Sequence, residues 1–188
     1  MKKINGTVAY FSKIDINAIS LSGKIKMKIC TKDELDTLYE CGLQSTAIFG
    51  EILKKHCESI PEMLPDAEII RLMNLYLDGI ADIIEKHREY LILPESSVPL
   101  EGALPDCSIP SSTLGEKIVS EYTGISIPEV GKLNYLIYRL YLADAVKYNL
   151  GRTEKGIEYL NTAYLEMFSE YDRGTFLAGG AVVKRICR

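Results

Sequence analysis

The chain has 188 residues, 47% hydrophobic and 26% charged, a balance that supplies a packed core and argues against wholesale disorder. Its formal net charge of −4 argues against a general nucleic-acid binder, which carries a basic surplus. Its five cysteines, at 30, 41, 57, 107 and 187, form no Cys-x-x-Cys pair, so neither a disulfide framework nor a zinc ribbon is expected, and reduced thiols in a cytoplasm fit best.

Met1, Lys2 and Lys3 open as a signal peptide would, but Asn5 and Gly6 break the apolar stretch such a leader needs. No later run is long and apolar enough to span a bilayer, so no membrane contact is expected. Thr7 to Phe11 is rich in strand formers, and Lys24 to Ile29 alternates Lys with Ile and Met, the period of a half-buried strand. Together they predict a small N-terminal antiparallel sheet. Lys24, Lys26 and Lys28 share one face of that strand and, with Lys2, Lys3 and Lys13, give residues 1–30 a net charge of +5. No aromatics interleave with them as an RNA-binding sheet requires, so a solvated or edge-protecting row is favoured.

Thr31-Lys32-Asp33-Glu34 is a capping box, in which Thr31 accepts from the Glu34 amide while Glu34 reaches back to the cap. A helical pattern follows to about Ser59, with Gly42 or Gly50 as its point of interruption. Pro61 and Pro65 end it, and Asp66 is a natural N-cap for the next helix. That helix carries Ile69, Ile70, Met73, Tyr76, Leu77, Ile80, Ile83, Ile84 and His87 on one broad face. Between Leu93 and Ser112 periodicity stops and Pro94, Pro99, Pro105 and Pro110 recur, the mark of a linker or strap. A short helix near Leu114 to Tyr122, a long one from Pro128 to Asn149 and a third from Glu154 to about Ser169 follow. The tail from Arg173 fits a strand or a frayed helix equally. The expected division is therefore 1–92, a strap at 93–112, and a three-helix unit at 113–188.

The long helix is apolar or tyrosyl nearly all round, through Leu133, Tyr135, Leu136, Ile137, Tyr138, Leu140, Tyr141, Leu142 and Val146. Only Lys132 and Arg139 align as a solvated strip. Such a helix is either buried or waiting for a partner. Eight of the twelve tyrosines lie at or after Tyr122, and Tyr suits half-buried and interface surfaces. Asp144 sits between Leu133 and Ile137 on the apolar arc, and a buried carboxylate needs a partner. Lys147, Tyr148 or Arg152 could make it a structural ion pair; the functional alternative is a ligand pocket anchored by Asp144 with Tyr141 and Tyr148.

Asp78, Asp82, Glu85 and Glu89 share one side of their helix, opposite the apolar face. A solvated face is the ordinary explanation, and weak cation binding or an acidic docking strip the functional ones. Carboxylate metal sites in bundles use Glu-x-x-His pairs, and neither His56 nor His87 follows a Glu at that spacing, so no metal is expected. His56 and Cys57, adjacent on a helix, diverge too widely to act as a dyad. Phosphate-binding glycine loops and Gly-x-Ser-x-Gly are absent, and no cofactor is expected.

The run from Arg152 to Met167 resembles the second helix of a tetratricopeptide repeat, with Gly156 and Ala163 at its two small positions. The preceding helix departs from that family, since Asp144 stands where its glycine belongs. No second copy appears, and a solenoid needs about three repeats, so the resemblance implies a repeat-like helical hairpin. Residues 142–160, from Leu142-Ala-Asp-Ala-Val-Lys-Tyr-Asn-Leu to Glu158-Tyr-Leu, are similar to small uncharacterised proteins of prophage-type elements, which implies a mobile-element origin.

The sequence thus predicts a mainly α, α+β protein: a helical bundle with a small N-terminal antiparallel sheet. Its expected function is protein binding, as an assembly, adaptor or inhibitory protein. Tyr135, Tyr138, Leu142 and the strip of Asp78, Asp82, Glu85 and Glu89 would meet another protein or a second copy of the chain. One alternative is small-molecule binding or metal-dependent catalysis at Asp144, Tyr141 and Tyr148 or on the acidic face. The other is weak nucleic-acid binding by the N-terminal lysines.

Overall fold

The computed structural model describes residues 18–22, 25–41, 45–57, 64–93, 95–97 and 113–175. Among these the protein is mainly helical, with one two-stranded antiparallel sheet at the N-terminal end. Strand β2 (Ile25–Lys28) comes from the alternating segment, but its partner is β1 (Ala18–Ser22). The expected strand at Thr7 to Phe11 lies outside the described residues. Alternation puts Ile19, Leu21 and Met27 inside and leaves Lys26 and Lys28 exposed. Ile19 can lie against the third helix because Gly79 carries no Cβ there; one would meet Ile19 Cγ2 at 2.7 Å.

Among the described residues eight helices follow: α1 (Lys32–Glu40), α2 (Ser45–His56), α3 (Asp66–Lys86), α4 (Arg88–Leu91), α5 (Leu114–Thr123), α6 (Ile127–Gly131), α7 (Tyr135–Leu150) and α8 (Glu154–Thr175). The capping box at Thr31 and Glu34 forms as expected. Gly50 stays inside α2, and Gly42 lies outside the described residues. Pro65 occupies the cap of α3 and Asp66 its first turn, where a carboxylate suits the helix dipole. Among the described residues, no helix is long and apolar enough to cross a membrane.

The long helix expected from Pro128 to Asn149 is interrupted. Ser126 caps α6, its N–H and hydroxyl donating to Glu129 Oε2 at 3.0 and 2.7 Å. Lys132 to Asn134 are then non-helical. Asn134 restarts the helix, its Oδ1 accepting from the Leu136 amide at 2.9 Å, which is N-cap chemistry. The interruption also leaves backbone groups free to pair elsewhere. Lys32 N–H donates to Leu133 O and Tyr135 N–H to Cys30 O, both at 3.0 Å, forming an isolated antiparallel bridge between Thr31 and Asn134. A continuous helix would have spent those groups internally.

The chain divides into two compact units, residues 1–92 with 112–143 and residues 93–111 with 144–188. This differs from the expected division: α5, α6 and the first half of α7 belong with the N-terminal residues. In the first unit β1, β2, α1, α2 and α3 enclose a core of Met27, Leu35, Phe49, Leu53, Leu72 and Tyr76, joined by Leu136 and Leu140 of α7. Leu72 is buried although the expected face of α3 omitted it, and Ile70, placed on that face, is 43% exposed. Phe49 and Tyr76 meet at 5.7 Å between ring centroids. Tyr76 Oη accepts from Cys30 N–H at 2.7 Å, which gives the buried phenol its partner. Burial raises the Cys30 thiol to about 11, so it packs as an un-ionised group.

Tyr138, on another side of α7, packs with Val119 of α5 and Val130 of α6. Two clusters of the first unit therefore cover the first half of α7 on different sides, which accounts for the missing polar face there. Arg139, expected in solvent, is half-buried and donates to Leu91 O at 3.1 Å.

In the second unit, Gly151 follows α7, and Thr153 Oγ1 accepts from Gly156 N–H at 3.0 Å at the start of α8. Gly156 is required there, because a Cβ would overlap the Leu150 carbonyl. Ala163 and Met167 are buried along the same helix. Ser96 N–H donates to Tyr159 Oη at 3.2 Å and Ser97 N–H to Glu166 Oε2 at 2.9 Å, so the start of the proline-rich segment is fastened to α8. The rest of that segment lies outside the described residues.

Candidate functional site

Helix α1 carries charged side chains toward two different neighbours. Toward α5 and α7 it presents Lys32, whose side chain is 11% exposed; Nζ lies 2.5 Å from Asp36 Oδ2 and donates also to Glu116 of α5, itself 10% exposed. The same ammonium sits 5.6 Å from the centroid of the Tyr138 ring. Burial alone would lower Lys32, but the hydrogen bonds to Asp36 and Glu116 reverse this and hold it charged above its ordinary value. Burial, and then the Glu116 carboxylate, push the Tyr138 phenol up to about 12. Tyr138 Oη also fills the space beside Gly115, where a Cβ would collide with it. Every charge in this cluster is answered from within, so it is a closed structural network.

Toward α2 the same helix lines an open groove of about 460 Å³. Asp33, Glu34 and Thr37 come from α1, and Ala47, Ile48, Glu51, Ile52 and Lys55 from α2. The α2 residues fall on one face because Ile48, Ile52 and Lys55 recur at i, i+4 and i+7. Ala47 and Ile48 supply apolar surface above the buried Ile52, with carboxylates contributed by both helices. Asp33 is exposed and lies against Gly131, where a Cβ would overlap its carboxylate.

Glu34 anchors one end of the groove. Its Oε2 accepts from Thr31 N–H at 2.8 Å and lies 2.8 Å from His56 Nε2, while Oε1 accepts from Lys55 Nζ. Burial works against its charge, but the hydrogen bonds from Lys55 and Thr31 and the neighbouring His56 outweigh it and hold the carboxyl at about 2. The capping box visible in the sequence therefore also ties α2 to α1. His56 is engaged with Glu34, and the Cys57 thiol, raised by burial, is not primed as a nucleophile. Glu51 is 75% exposed and pairs with Lys54 at 2.8 Å, itself 64% exposed.

The residues singled out in the sequence are dispersed. Tyr138 is 7% exposed and spent inside its unit; Tyr135, Tyr141 and Leu142 are half-buried and pack against the same cluster. Asp144 is half-buried and Tyr148 is 60% exposed; none of Asp144, Tyr141 and Tyr148 lines the groove. Asp78, Asp82 and Glu85 are exposed on α3, but His87 breaks the helix and places half-buried Glu89 on α4. Among the described residues, no group of three or more His, Cys, Asp and Glu side chains could hold a metal ion. Of the lysine row, Lys26 and Lys28 are exposed, and Lys2, Lys3, Lys13 and Lys24 lie outside the described residues. The groove residues other than Glu34 were not anticipated. The repeat of Ile48, Ile52 and Lys55 was the available signal, but it identifies a face and not the helix opposite.

No family model matches the chain, and no curated protein or solved structure does so either.

Proposed function

We propose that the protein is a binding module for another polypeptide, acting as an adaptor or inhibitor. The groove between α1 and α2 supports this best: it is open, apolar along Ala47 and Ile48, and bordered by polar groups of both helices. Apolar grooves between helices receive the apolar face of a partner segment, and the bordering polar groups set its orientation. The tyrosine-rich helix α7 contributes indirectly, by completing the core that holds α1 in place.

A photo-crosslinking side chain at Ala47, which is exposed, tests the reading in a cell lysate. The expected result is a discrete crosslinked protein that the same group at exposed Asn161 of α8 does not give. Identical products from both positions, or none from Ala47, would remove the groove as the binding site. A second surface has its own observation: Tyr148, Ile157 and Leu165 are 60%, 47% and 71% exposed on the hairpin helices. Crosslinking from Leu165 alone would move the function there.

A further inference from the structure

The groove's lining charge is one-sided, and this bears on what can enter it. Asp33, Glu34 and Glu51 oppose a single ammonium, Lys55. Glu34 is already saturated by Thr31, Lys55 and His56, so it fixes the two helices and has little left for a partner. The carboxylates that remain are exposed Asp33, from α1, and Glu51, from α2. Glu51 holds Lys54 only as an exposed pair, the kind that contributes little and exchanges readily. Ala47 and Ile48 line the same groove as these two carboxylates. An acidic segment would bring like charge against both, whereas a basic one could displace Lys54 and meet Asp33 as well.

Resting on the polypeptide-binding function above, we infer that the groove docks a basic amphipathic helix of another protein, its apolar residues against Ala47 and Ile48 and its Lys or Arg side chains on Asp33 and Glu51. A helix fits because Ala47 and Glu51 stand one turn apart on α2 and are both exposed, a spacing matched by an apolar anchor and a cation one turn apart on a helical partner.

Panning random dodecapeptides on phage against the full chain tests this with no particular partner assumed. Three variants of exposed residues read the outcome: Ala47→Gln to obstruct the groove, and Glu51→Lys and Asp33→Asn to change its charge. An unchanged thermal midpoint verifies that each is folded. Recovered peptides should carry Lys or Arg with apolar residues at i, i+4 spacing. Their binding should be lost in Ala47→Gln and weakened about tenfold or more in Glu51→Lys, with less discrimination at high salt. Acidic or uncharged peptides that still depend on Ala47 would overturn the basic-helix inference and leave the binding function standing. Peptides indifferent to Ala47→Gln, or no enrichment, would overturn both. Self-association by light scattering that disappears in Glu51→Lys would make a second copy the occupant, and the inference would fail on that count.

Discussion

Lys32 and Glu34 stand two residues apart on α1, Lys32 held by two carboxylates and Glu34 by Lys55 and the His56 ring, yet their surroundings differ. Lys32 and Glu116 are about 10% exposed, and Tyr138 covers the ammonium. Around Glu34, Lys55 is 66% exposed and the groove is open. A buried pair cannot exchange partners, because removing one charge strands the other in a poorly solvated place. An exposed pair can exchange at little cost. The buried side of α1 therefore carries stability; on the open side Glu34 is spent on α2, and exposed Asp33 is the charge α1 can offer another molecule.

The largest test of this contrast is Lys32→Met, which leaves the Glu116 carboxylate buried without its partner. Destabilisation of about 3–5 kcal/mol is expected from urea unfolding. Adding Glu116→Leu should recover most of it, since an apolar pair of similar volume replaces an ion pair at little net cost. If the single variant unfolds at the wild-type midpoint, the network is not structural. Gly115→Ala should cost about 1–3 kcal/mol by driving a methyl group against Tyr138 Oη. Tyr138→Phe in the same chain should relieve much of that loss, and a double-mutant cycle without coupling would contradict the contact.

Glu34→Gln is expected to cost about 1 kcal/mol, since it weakens a helix cap and discharges the link to Lys55 and His56. The sign of its pH dependence follows from a carboxyl held at about 2 in the fold against an ordinary 4.5. The carboxylate's contribution is complete above 4.5 and is lost as pH falls through the folded value. The gap between wild type and Glu34→Gln should therefore be constant near neutrality and close between pH 4.5 and about 2. A gap that widens on acidification would show that the carboxyl is not depressed. Smallest of all, Glu51→Ala should leave stability within about 0.5 kcal/mol while changing the charge of the groove.

Local chemistry was legible in the sequence. Thr31 and Glu34 formed their capping box, the Lys-Ile-Lys-Met alternation became β2, and most of the expected face of α3 packed inward. Long-range chemistry was less so. Lys32 and Glu116 are 84 residues apart, and neither carries a local signal of the other. Asn134 looked like one more position in a periodic helix because its capping hydrogen bonds and the bridge to Thr31 depend on tertiary pairing. Gly115 and Gly131 had no visible reason to be glycine until Tyr138 and Asp33 lay against them. The groove shared this difficulty, since its lining is divided between two helices.

The bridge between Thr31 and Asn134 also sets an order of events during synthesis. The first unit is assembled from two separated stretches, so a nascent chain that has emerged only as far as Ile92 lacks Glu116 for Lys32 and the two leucines that close its core. Contacts this distant in sequence form late, after a long loop has been closed. A ribosome-bound chain arrested at Ile92 is expected to be cut readily by protease, and one extended so that Ala143 has cleared the exit tunnel to resist. Between those two lengths the young protein shows apolar surface to whatever chaperone is near, a vulnerability written into the order of its residues.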